Sequence, residues 1–93
     1  MFQDTLNERV VCMDGFSFSC QANDGAYCIP RKNNCNHYTE VEVGFPNQYE
    51  PLLEEYQEDP QSDCTKSVFP YVPSDIVHIV ITKHGGIKSG QVP

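Results

Sequence analysis

The sequence predicts an α+β domain, an antiparallel sheet of four to five strands covered on one face by a C-terminal helix. Three observations carry that expectation. Apolar and polar residues alternate on both sides of Asp14-Gly15, a second alternation runs through YTEVEVGF (38–45), and the β-branched run IVHIVIT is flanked by helix caps. The chain has 93 residues, enough for one core, so it is read as a single domain. Its parts are an N-terminal hairpin sheet (8–45), an acidic segment (46–63), a strand plus helix (65–86) and a loose tail (87–93).

ERVVCM-DG-FSFSCQA reads as a hairpin, because Asp-Gly tolerates the positive φ of a two-residue type I′ turn. That register sets Met13 against Phe16 and Val11 against Phe18, with Ser17, Ser19 and Gln21 on the polar face. A second turn at Asn23-Asp24-Gly25 leads into a third strand, AYCI, which would place Tyr27 and Ile29 inward beside Ala22 and Cys20 and leave Cys28 outward. In the fourth strand Thr39, Val41, Val43 and Phe45 alternate with Tyr38, Glu40 and Glu42, so the outer side is acidic.

Prolines interrupt the chain from Pro46 to Pro60, leaving room for two turns of helix in PLLEEYQED, with Pro51 first and Leu52, Leu53 and Tyr56 docking on the body. TKSVFPYV is a fifth strand, placed at an edge because Pro70 cannot donate to a ladder. Propensity alone would make IVHIVIT a strand. Its flanks favour a helix from about 75 to 84: Pro73-Ser74-Asp75 supplies a cap and a first-turn acid, and Lys83-His84-Gly85-Gly86 supplies terminal cations and a left-handed stop. Ile76, Ile79, Val80 and Lys83 would form its stripe, flanked by Val77 and Ile81.

Net charge is −7, which repels phosphate backbones and anionic headgroups and attracts basic surfaces. Direct nucleic-acid or membrane binding is therefore not expected. MFQDTLNERVV lacks the apolar core of a secretory leader, and no stretch is long enough to span a bilayer, so a soluble, cytoplasmic protein is expected. The five cysteines are an odd number and are read as mostly reduced, partly buried thiols.

No local signature of catalysis accompanies the Ser, Cys, Asp or His residues, so the chain is not read as an enzyme and no cofactor is called for. His78 is read as a packed histidine. Cys28, Cys35, His37 and Cys64 are zinc-type ligands, and a small zinc-stabilised module is the alternative reading, although the spacing lacks the paired knuckles of structural zinc sites. The sharper signal is charge: between Lys32 and Lys66 the chain carries eight carboxylates and no Lys or Arg. A partner-binding face of Glu40, Glu42, Tyr49, Glu50, Leu52, Leu53, Glu54, Glu55, Tyr56, Glu58, Asp59 and Asp63 follows, with carboxylates steering a basic protein and aromatic and leucine side chains supplying area. The bland counterpart is a solvated surface.

The order VVCMDGFSFSCQA, AYCIPR, YTEVEVGFP, VFPYVPSDIV and KHGG resembles small uncharacterised proteins encoded by bacteriophages. The resemblance carries no site residue. It implies a viral protein of the host cytoplasm that inhibits a host protein with a basic, nucleic-acid-binding surface, with anti-CRISPR inhibitors as the nearest functional class. The edge that the fifth strand could offer for pairing leaves a monomer, a homodimer or an oligomeric phage accessory protein open.

Overall fold

A computed structural model describes residues 6–93. Of the stretch 1–11, where no secretory leader is expected, residues 1–5 lie outside the described residues.

Strand β1 (Val10–Cys12) and strand β2 (Ser17–Gln21) form the first hairpin. Its loop has three residues instead of two. Gly15 N donates to Cys12 O at 3.0 Å, Cys12 N donates to Phe16 O at 2.8 Å, and Gly15 takes φ +94°. Asp14 Oδ1 accepts from Phe16 N at 2.9 Å, so Asp14 holds the turn from its side chain while only Gly15 needs positive φ. The extra loop residue shifts the register to Val10↔Phe18 and Val11↔Ser17. A one-residue slip exchanges the faces of a strand, so Val10 and Cys12 enter the core and Met13 is left 62% exposed.

AYCI makes no strand. Asn23 Oδ1 accepts from Gly25 N at 2.8 Å and curls the chain, while β2 already has another neighbour, so only an isolated bridge, Ile29↔Glu40, remains. The expected facing is inverted: Cys28 is buried, its thiol donating to Asn23 O and Pro30 O, and Tyr27 and Ile29 face out. Strand β3 (Glu40–Gly44) is that neighbour, paired through Ser19↔Gly44, Cys20↔Val43 and Gln21↔Glu42. Val41 and Val43 point inward as expected, but Phe45 turns outward at φ +52° and Tyr38 is buried, its hydroxyl donating to Lys32 O at 2.7 Å.

Strand β4 (Val68–Pro73) pairs with β3 and occupies a sheet edge, where Pro70 needs no ladder partner. Helix α1 (Ser74–Lys83) follows directly. Neither Ser74 nor Asp75 caps it; the Ser74 hydroxyl donates to Tyr38 O, and Pro73 stands at the N-cap. Its C-terminus is built as expected, with Gly85 at φ +92° and Gly86 N donating to Ile81 O at 2.9 Å. The buried stripe is Val77, Val80 and Ile81, continued by His84, whereas Ile79 is 52% exposed and His78 faces solvent.

The tail is not loose. Strand β5 (Ile87–Ser89) pairs antiparallel with β1 through Val11↔Ser89 and Cys12↔Ile87. Gly90, at φ +99°, passes so close to β1 that a Cβ there would lie 2.1 Å from Arg9 O. The completed sheet is antiparallel and open, in the order β4-β3-β2-β1-β5. α1 therefore carries the chain from one sheet edge to the other. It packs on the layer formed by Phe16, Phe18, Cys20, Val41, Val43, Phe69 and Val72. No helix among the described residues is long and apolar enough to cross a membrane.

Candidate functional site

The acidic run does not form one surface. Glu40 and Glu42 leave β3 on the face opposite Val41 and Val43, and Glu42 Oε1 accepts from Tyr27 N at 2.9 Å. Residues Pro51–Tyr56 pack instead against β4 and α1. They form a 3-10 turn instead of the expected α-helical turns, with Pro51 in its first turn and Leu53 only 2% exposed. Leu53 thus belongs to the core and leaves the proposed binding face, while Leu52 and Tyr56 are half-buried against it.

Glu50 also leaves that face. It caps the 3-10 turn, Oε2 accepting from Leu52 N at 2.9 Å, and it is 3% exposed. Lys83 Nζ reaches the same oxygen at 2.9 Å, and His84 Nε2 lies 2.6 Å from Oε1. The other ring nitrogen, Nδ1, lies 2.6 Å from Asp14 Oδ2 in the β1–β2 loop. The imidazole stacks on Phe16 with ring centroids 4.2 Å apart and planes 16° from parallel. One histidine thus joins the hairpin loop, the entry to the 3-10 turn and the end of α1.

The electrostatics agree with the geometry. Burial disfavours the His84 cation, but bonds to Glu50 and Asp14 outweigh it and raise the ring above its ordinary 6.5. Burial likewise disfavours the Glu50 anion, yet the Leu52 N–H, Lys83 and His84 together draw it below its usual 4.5. Asp14 is lowered first by the Phe16 N–H and then by His84. With a carboxylate oxygen at each ring nitrogen, only the doubly protonated ring donates to both. The cluster is a structural tie. Sequence reading used His84 only as a helix-end cation; Asp14 and Glu50 lie 70 and 34 residues away from it, beyond any local pattern.

Glu54, Glu55 and Glu58 remain exposed, with no ion pair among the described residues. Tyr49, 54% exposed, hydrogen-bonds Glu54, which raises the phenol after a contribution from desolvation. Asp59 accepts from Gln61 N and Ser62 Oγ, and Asp63 caps the short turn Cys64–Lys66, so both shape the segment while still facing water. Gln57 Nε2 closes the loop from inside, donating to Asp59 O at 2.8 Å and Ser62 O at 2.9 Å.

The zinc alternative finds no site. No group of three or more His, Cys, Asp or Glu side chains among the described residues is placed to hold a metal ion. Cys28 is buried on its backbone acceptors, the Cys35 thiol donates to His37 O, and Cys64 is half-buried beside the core. All five thiols are free, and burial pushes Cys20 up to about 12. A shallow concavity of about 400 Å³ on the outer side of α1 is lined by His78, Ile79, Thr82 and Lys83. Comparison with protein-family models, with curated proteins and with solved structures gave no match.

Proposed function

We propose that this chain is a protein-binding inhibitor that presents segment 49–63 to a basic surface of a partner protein. Tyr49, Glu54, Glu55, Glu58, Asp59 and Asp63 supply the contact, with Glu40 and Glu42 on a separate face. The observation that carries the reading is uncompensated charge on a fixed frame. Among the described residues three exposed glutamates lack ion-pair partners, while Glu50, Leu53 and Gln57 anchor the backbone beneath them. Pre-ordered charge steers association and costs little ordering entropy on contact. The resemblance to small phage-encoded proteins supports a host protein as target, one whose basic surface serves nucleic acid, met in the host cytoplasm. Blocking such a surface requires no chemical step.

The test is capture of partner from host extract, with cross-links mapped by mass spectrometry, using wild type and the triple variant Glu54→Lys, Glu55→Lys, Glu58→Lys. Wild type should cross-link through 49–63 to a lysine- or arginine-rich surface, and the complex should weaken at high salt. The triple variant should associate about ten- to a hundredfold more slowly with an unchanged unfolding midpoint. Undiminished binding by that variant would refute the reading.

A further inference from the structure

The two nitrogens of His84 each face a carboxylate oxygen at 2.6 Å, Asp14 on one side and Glu50 on the other. Only the doubly protonated ring donates to both. A neutral ring would hold a bare lone pair against one carboxylate at contact distance, so geometry and protonation state are tied. The surrounding charges fit the cation. Asp14 comes from the β1–β2 loop, Glu50 from the entry to the 3-10 turn and Lys83 from α1, and the Cys12 thiol lies nearby at the base of the loop. Two carboxylates against Lys83 and a charged His84 balance to zero; a neutral ring leaves one negative charge uncompensated beside the buried Glu50, with Asp14 and Lys83 half-exposed at the rim. The helix end adds its own preference for a cation.

We propose that His84 is a proton-operated clamp, whose deprotonation costs one of its two carboxylate contacts and loosens the hold on Glu50 that orders residues 50–56. The clamp acts on the segment assigned above to partner binding but does not depend on that assignment. The direction with pH follows from the ring being raised and the acids lowered. The stabilisation from the charged ring is complete below pH 6.5 and is lost as pH rises through the raised value. The contribution of Glu50 is complete above pH 4.5 and is lost as pH falls through its lowered value. Both act together between these limits, and alkali opens the clamp.

Amide hydrogen exchange across the alkaline titration tests this directly. The Leu52 N–H donates to Glu50 Oε2 and the Leu53 N–H to Glu50 O, so both report the clamp, while Cys20 and Val43 in the central strands serve as references. Protection at Leu52 and Leu53 should fall by about tenfold relative to the references as the ring loses its proton. In His84→Gln it should be low already and follow no such titration. Unchanged protection while the ring titrates, or a wild-type profile in His84→Gln, would overturn the clamp. Should His84→Gln fail to fold, Asp14→Asn decides: it keeps the Glu50 contact and should move the loss of protection to lower pH. An unmoved transition would overturn it equally. Partner binding is no part of the readout, so failure of the clamp and failure of the binding reading are separate results.

Discussion

Glu50 and Glu54 are the same side chain one turn apart, and the fold treats them as opposites. Glu50 is nearly inaccessible, with one oxygen shared by Leu52 N and Lys83 and the other bound to His84. Glu54 stands in water with the Tyr49 hydroxyl as its neighbour. The difference teaches that a run of like charge is not one feature. Where water is excluded, a carboxylate must be matched by donors and becomes part of the architecture; where water remains, its charge acts at a distance and contributes little to folding.

The largest break in that comparison is Glu50→Ala. It strands the buried His84 and removes the cap of the 3-10 turn, so unfolding in urea should show a loss of about 3 kcal/mol. A loss under about 1 kcal/mol would mean the cluster is incidental. Next is Leu53→Ala, which empties a site in the core cluster and should cost about 3 kcal/mol, while Leu52→Ala, half-buried, should cost clearly less. Equal effects at the two leucines would contradict the observed face of the turn.

Smaller still is the pH effect. The wild-type urea midpoint should be level between pH 4.5 and 6.5 and decline on the alkaline side, and Glu50→Ala should lack most of that decline. The smallest effect belongs to the exposed acids. Glu54→Gln, Glu55→Gln and Glu58→Gln should each leave stability within about 0.5 kcal/mol of wild type, while together weakening the salt-dependent capture of a basic partner.

Features written locally were legible in the sequence. β3 alternates cleanly from Glu40 to Val43, and α1 ends where Gly85 and Gly86 allow the left-handed cap, so both elements stand where the residues placed them. The first hairpin was legible as a hairpin but not in its register, because Asp14-Gly15 serves a two-residue or a three-residue loop and the Asp14 side chain selects the longer one. β5 is exposed at every position and so shows no alternation; its only trace is Gly90, whose missing Cβ lets the chain close on Arg9. The count of five strands is reached by a different set, with Ile87–Ser89 in place of AYCI. Of the acidic run, the exposure of Glu54, Glu55 and Glu58 was legible and the burial of Glu50 was not, since nothing near residue 50 announces a cation held at the far end of α1.

The charge on His84 decides between an active tie and a passive packing contact, and nitrogen-15 spectroscopy of the imidazole reads it without perturbing the protein. At about pH 7, where an unperturbed imidazole is mostly neutral, both Nδ1 and Nε2 of His84 should still carry protons. A neutral, singly protonated His84 ring at that pH would contradict the account.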